Sequence, residues 1–119
     1  MLEDLAARAN ADPNIKRLGR TCIAEFVLMV SDTPFHVIVQ SGKVQDVLQG
    51  PFKMRNSSFQ ISATEAAWSE FMAPLPRPGF HDIFAMSATG NATIVGDMTV
   101  LLSHLGFYKA LLQTLRRGN

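Results

Sequence analysis

The run TCIAEFVLMVS, Thr21 to Ser31, constrains the fold more than any other stretch. Read as a strand, it puts Cys22, Ala24, Phe26, Leu28 and Val30 on one face. Ile23, Val27 and Met29 make the other face apolar as well, interrupted only by Glu25. Successive side chains of a strand point to opposite sides. A strand apolar on both sides therefore belongs in the middle of a sheet, or between a core and a second cavity. Its partners follow at short range. SDTP (Ser31 to Pro34) is a turn, and FHVIVQ (Phe35 to Gln40) alternates with Phe35, Val37 and Val39 on one side. SGK (Ser41 to Lys43) is a second turn, VQDVLQ a third strand that Gly50-Pro51 ends, and SFQIS (Ser58 to Ser62) a fourth. Spacings this short predict an antiparallel meander.

Helical signals flank these strands. Leu2, Leu5, Ala6 and Ala9 recur at helical spacing, and Asp12-Pro13 opens a short turn that stops at Gly19. Ser62 and Glu65 form an S-x-x-E capping box, followed by a helix with Ala67, Trp68, Phe71 and Met72 on one face. The proline-rich APLPRPG breaks that helix. FHDIFAM begins another, with Phe80, Ile83 and Phe84 on one side and a stop at Gly90. ATIV is a fifth strand, Asp97 caps the next helix, and Gly106 is expected to kink or split it. Arg116-Arg117 are expected in the last helical turn, where cations complement the macrodipole, with Gly118 as the stop. The order predicts one α+β domain over residues 1–119, with helices gathered on one sheet face.

Composition removes several function classes. Eleven basic and ten acidic side chains leave a net charge of +1, and no basic cluster is interleaved with aromatic residues, which argues against nucleic acid binding. The densest basic group is Lys16, Arg17 and Arg20. No apolar run approaches the roughly 20 residues of a membrane span, and MLEDLAARAN lacks the apolar stretch of a signal peptide. The single cysteine, Cys22, excludes an internal disulfide framework. A cytoplasmic protein is the expectation.

Catalytic and metal-binding patterns are sparse. His81-Asp82 suggests acid/base chemistry, but neighbours i and i+1 on a helix do not face each other. Asp82 and Asp97 read more simply as carboxylates at helix starts. His36, His81 and His104 are scattered, with no H-x-x-x-H or C-x-x-C, so no metal is expected. Cys22 sits among apolar neighbours and reads as a buried, inert thiol. No G-x-S-x-G, phosphate-binding loop or dinucleotide fingerprint is present. No cofactor is expected.

The stretch NATIVGDMTVLLSHLGFYKALL, Asn91 to Leu112, raises a different question. Read as one helix after Asp97, its apolar residues point nearly all round the axis. A helix of that kind is enclosed, or meets something besides its own sheet.

The ordered set of segments resembles the sterol carrier protein 2 family of lipid-binding domains. The likeness runs through EFVLMVSDTPFHVIVQSGKVQDVLQGP, FQISATEAAWSEFMAPLPRPGF and NATIVGDMTVLLSHL, and so covers nearly the whole chain. PRPGFHDIFAM (Pro76 to Met86) departs from the general pattern and marks a bacterial variant; the terminal RGN is not a peroxisomal S-K-L type address. The resemblance implies a five-stranded mixed, largely antiparallel sheet covered by helices on one face, with an apolar tunnel between them. It implies binding of a sterol, fatty acyl chain or other lipid, with no catalysis. The lining residues would be Trp68, Phe71, Phe80 and Phe84 from the middle of the chain. Met98, Leu101, Leu102, Leu105, Phe107 and Leu111 would line it from the C-terminal helix. The same apolar surface would equally serve a homodimer or docking on a larger enzyme. A small enzyme using His81 and Asp82 is the third reading, and it requires both to project into one cavity.

Overall fold

The computed structural model describes residues 4–50 and 57–116. Readings that involve Leu2, Pro51, Arg117 and Gly118 fall outside those residues.

Two short helices, α1 (Leu5–Asn10) and α2 (Pro13–Leu18), open the chain. The sheet then begins with β1 (Ile23–Val30), β2 (Thr33–Gln40), β3 (Lys43–Gln49) and β4 (Phe59–Ala63). Helices α3 (Glu65–Phe71) and α4 (Ile83–Ala88) follow, then β5 (Thr93–Gly96), α5 (Met98–Ser103) and α6 (Leu105–Gln113). The five strands lie in the order β3-β2-β1-β4-β5. β1 pairs parallel with β4 and antiparallel with β2, and the two outer pairings are antiparallel. The doubly apolar strand is thus central.

Phe26, Leu28, Phe35, Val37, Phe59 and Ile61 point to the helical side and are buried. Val27 and His36 are buried on the opposite side, His36 only 5% exposed. Of the apolar residues expected on that opposite face of β1, only Val27 is buried; Met29 is half-buried and Ile23 is 74% exposed.

Capping explains most helix starts. Asp12 accepts from the Asn14 amide at 2.9 Å, with Pro13 in the first turn, and Gly19 closes α2. Asp97 accepts from the amides of Thr99 and Val100 at 2.9 and 3.3 Å. Gly90, at φ +80°, follows the end of α4. The expected box at Ser62 and Glu65 is displaced. β4 runs on to Ala63, paired with Val30 of β1, so Ser62 stays extended. Thr64 is the cap instead and accepts from the Ala67 amide at 3.1 Å.

The C-terminal helix breaks two residues before the expected glycine. His104 has φ −130° and ψ 39°, outside the helical region, while Gly106 lies inside α6. The His104 ring holds Thr21 Oγ1 at 3.0 Å through Nε2 and Ser103 Oγ at 3.3 Å through Nδ1. Its carbonyl accepts from the Tyr108 amide, which starts α6. Gly106 faces open space, with nothing within 4 Å of an added Cβ. Helix interiors prefer alanine to glycine by about 0.5–1 kcal/mol. Gly106→Ala should therefore raise stability by about that amount in urea unfolding. A destabilised variant would show that Gly106 has another task.

Arg116 also departs from expectation. It lies beyond α6 rather than in its last turn. It donates to the carbonyls of Phe71 and His81 at 3.2 and 3.1 Å, with its guanidinium 5.2 Å from the Phe71 ring centre. The chain end is thereby tied to α3 and to the proline-rich connector.

Candidate ligand-binding site

Aromatic rings fill the space between β1, β4 and α6. Phe26 and Phe59 stack with centres 4.9 Å apart, and Tyr108 meets both edge-on at 5.5 and 5.1 Å. Phe107 leans on Tyr108 at 5.4 Å. The Tyr108 hydroxyl lies 3.4 Å from Cys22 Sγ. Burial pushes the Cys22 thiol up, only partly opposed by its contact with the Tyr108 hydroxyl. Burial, reinforced by Cys22, pushes the Tyr108 hydroxyl up as well. Both groups are neutral near pH 7, so Cys22 is a core side chain and not a nucleophile.

The expected lining residues divide into three groups. Trp68, Phe71, Leu101, Phe107 and Leu111 are buried in the core. Phe80, Phe84 and Leu105 are half-buried. Met98 and Leu102 stand in solvent, 37% and 54% exposed. The structure brings Trp68 against Phe71, ring centres 5.8 Å apart, and Phe80 and Phe84 pack on the same core.

The all-round apolar pattern has a simple source. It treats two helices as one. Once the axis changes at His104, Phe107, Tyr108, Leu111 and Leu112 form a single buried stripe on α6. On α5, Leu101 is buried, while Met98 and Leu102, one turn apart, share an outward side. The surplus apolar surface is thus confined to α5.

Two grooves among the described residues lie away from these side chains. A groove of about 470 Å³ runs between α1, α2 and α6, lined by Arg8, Asp12, Asn14, Ile15, Ala110, Gln113 and Thr114. Another, of about 430 Å³, is bordered by Ser31, Asp32, Ser62, Thr64, Asn91 and Thr93. Neither touches an expected lining residue. Phe71, with Asp82, Ile83, Lys109, Leu112 and Gln113, borders a crevice that has no room for a water molecule.

The acid/base pair is differently disposed. His81 precedes α4 rather than lying on it, so its Nε2 reaches within 4.0 Å of Asp82 Oδ2, contrary to the expectation for helical neighbours. Asp82 Oδ1 caps α4 by accepting from the Ala85 amide at 2.8 Å, and Oδ2 lies 3.8 Å from Lys109 Nζ. The His81 side chain is largely in solvent and does not line the crevice that Asp82 borders. Among the described residues, no three His, Cys, Asp or Glu side chains group to hold a metal ion. No helix among them is long and apolar enough to cross a membrane.

Sequence reasoning missed two features. Tyr108 is the hub of the aromatic cluster, and its spacing from Leu111 and Leu112 was the available signal. His36 Nδ1 approaches Glu25 Oε1 at 3.9 Å on the other sheet face. Their diagonal offset follows from the β1–β2 register, which a single strand does not reveal.

No protein-family model matches the chain, and no curated protein matches it. Solved structures do. A crystal structure of sterol carrier protein 2 superposes with a TM-score of 0.75 at 14% identity, covering 95% of this chain and 91% of that one. The fold is that of sterol carrier protein 2. The ubiquinone synthesis protein UbiJ-SCP2 matches over 96% of this chain and 87% of its own, with a TM-score of 0.63 and 17% identity. The sec-alkylsulfatase Pisa1 from Pseudomonas sp. matches over 87% of this chain but only 15% of its own, with a TM-score of 0.60 and 13% identity. The sterol-carrier-like fold thus stands nearly alone in the first two structures and as a small part of a larger enzyme in the third.

Proposed function

We propose that the chain binds or carries an apolar small molecule, a sterol, fatty acyl chain or other lipid, without catalysing a reaction on it. The ligand lodges between the sheet and the helices α4 to α6. The observation that carries this reading is the two-sided apolar character of α5, on a fold shared with sterol carrier protein 2. Leu101 is anchored in the core, while Met98 and Leu102 face outward from the same six-residue helix. The non-helical His104 separates α5 from α6 and supplies a place for it to move. Outward displacement of α5 withdraws Leu101 from the core that holds Phe107 and Leu111, with half-buried Phe80, Phe84 and Leu105 at the margin and Met98 and Leu102 at the mouth. Burying ~300 Å² of ligand surface gains a gross ~7 kcal/mol at about 25 cal/mol/Å². Association entropy removes part of that, leaving micromolar affinity as the expected scale. A cytoplasmic location belongs to this reading.

Native mass spectrometry of the purified chain, followed by organic extraction, tests it. One lipid-sized adduct per chain is the expected result. In solution, Leu102→Asp should weaken binding of a fluorescent fatty acid at least tenfold while leaving the fold intact, since the position is already open to water. Unchanged affinity in the folded variant removes α5 from the site. The occurrence of this fold within an alkylsulfatase favours a second reading, a non-catalytic module that dimerises or docks on an enzyme. A tight dimer by light scattering, with no fatty acid binding, puts that reading first.

A further inference from the structure

The two edges of the sheet are finished differently. β3 is one edge, and α1 packs along it. The Asn10 side chain clasps its backbone: Nδ2 donates to the Val44 carbonyl at 2.9 Å and Oδ1 accepts from the Val44 amide at 3.0 Å. The Val47 amide donates to the Asp46 carboxylate at 2.9 Å, and the β2–β3 register slips between Ile38 and Val39. Clasps, charges and bulges of this kind keep an edge strand from pairing with another chain. β5, the other edge, shows none of them among the described residues. The run GNATIVG, Gly90 to Gly96, holds no charged residue and no proline. Thr93, Val95 and Gly96 are exposed, Val95 to 50%.

The Asp97 amide donates to the Ser58 carbonyl at 2.7 Å, on the β4 side. That peptide is planar and trans, so the Gly96 carbonyl points the other way. Bonded and non-bonded pairs alternate along an antiparallel ladder. Val95 and Thr93 therefore turn their backbone groups to Gln60 and Ser62, while Ile94 and Gly96 turn theirs outward. The row of free donors ends there, because the Ala92 amide donates to the Met86 carbonyl. We propose that this edge pairs with the same edge of a second copy, antiparallel, joining two five-stranded sheets into one. One register matches the outward groups of both residues. Ile94 exchanges both backbone bonds with Gly96 of the second copy, and Val95 meets Val95 of that copy on the two-fold axis. Charge favours this occupant, because the pairing sets Asp97 opposite Thr93 and brings no like charges together. Recognition of a foreign strand draws its specificity from side-chain pockets, whereas self-pairing is specified by the backbone groups already present. So short a joint buries less than the ~1,000 Å² of a stable interface, so the dimer is weak and exchanges rapidly. The proposal concerns the sheet edge and does not depend on ligand carriage.

Cross-linking reads the register directly. Cys22 is the only cysteine and is buried, so an introduced cysteine supplies the one exposed thiol. In the proposed register the two Val95 Cα atoms form a non-bonded pair about 4.5 Å apart, within disulfide reach. The two Thr93 residues fall on opposite sides of the axis, about 13 Å apart along the strands and beyond that reach. Under mild oxidation at millimolar concentration, Val95→Cys should cross-link into a dimer, and Thr93→Cys should do so at least about tenfold less. Sedimentation equilibrium of the wild-type chain should show monomer at micromolar concentration and dimer approaching millimolar. Val95→Lys sets like charges on the axis and should weaken the dimer by about tenfold. Ile94 packs on the core, so Val95 points to the sheet face away from it. Melting and fatty acid binding should therefore be unchanged in Val95→Lys. A wild-type chain that stays monomeric throughout overturns the proposal. So do equal cross-linking yields from the two cysteine variants, or a dimer that Val95→Lys leaves intact. If Val95→Lys melts early, the cysteine pair still decides. A wild-type dimer that binds no fatty acid removes carriage and leaves the edge pairing standing.

Discussion

Trp68→Ala should cost about 4 kcal/mol, the range for emptying a fully buried aromatic site. Trp68 is 1% exposed and occupies the junction of α3 with the sheet. Its indole N–H donates to the Met29 carbonyl at 2.9 Å, and its ring meets Phe71 edge-on. Truncation opens a cavity, removes the aromatic pair and leaves the carbonyl of a central strand without that donor. At about 4 °C per kcal/mol for a domain of this size, the midpoint should fall by roughly 15 °C. The chain has one tryptophan, so circular dichroism must follow unfolding, because the variant removes the fluorescent reporter. Trp68→Phe should cost about half as much, since it keeps a ring and loses the hydrogen bond. The pair of variants also separates core from ligand wall. A wall residue, bordering space that a ligand fills, would lose fatty acid affinity with little change in melting. A Trp68→Ala variant that melts like the wild type would remove Trp68 from the core.

The strands were legible because their information is local. Period-two alternation with turns at Ser31–Pro34 and Ser41–Lys43 identifies the meander, and apolar residues on both faces of β1 place it centrally. The parallel β1–β4 pairing was not local. The fourth strand was expected in the antiparallel meander and the resemblance implied only a mixed sheet; the parallel pairing with β1 corrects that and also explains the misplaced cap, because β4 must extend to Ala63 to pair with Val30. The His104 break escaped for a similar reason. Gly106 is the obvious weak point in sequence, but what stops α5 is His104 reaching Thr21, 83 residues earlier in the chain. Treating α5 and α6 as one helix then scattered two apolar stripes round a single axis. Of the expected lining residues, the sequence pattern could say only that they are apolar at helical spacing. Core residues and cavity walls share that pattern, because each is removed from water by different neighbours.

Gly96→Ala should destabilise the chain by about 4 kcal/mol, although the added group is a single methyl. Two penalties coincide at this position. Its φ is +117°, where a side chain meets its own backbone, and such strain costs of order 1–3 kcal/mol. An added Cβ would also lie 2.6 Å from Phe59 Cα and 2.7 Å from the Ser58 carbonyl oxygen. These are backbone atoms at the start of β4 and of the residue before it, and they cannot rotate away; overpacking of this kind costs typically 1–3 kcal/mol. The closeness has a cause. Gly96 is paired with Phe59 at the end of β5, and the next amide, Asp97, donates to Ser58 at 2.7 Å. The same few atoms end the sheet, start α5 through the Asp97 cap and hold Phe59 against Phe26 and Tyr108. Gly90→Ala is the control. Gly90 also has a positive φ, +80°, but an added Cβ there meets nothing within 4 Å. It should cost about 1–2 kcal/mol, the backbone term alone. The difference between the two variants in urea unfolding measures the collision with β4. If both cost the same, the β5–α5 junction can give way without loss, and α5 is then free to shift its start as well as its end at His104.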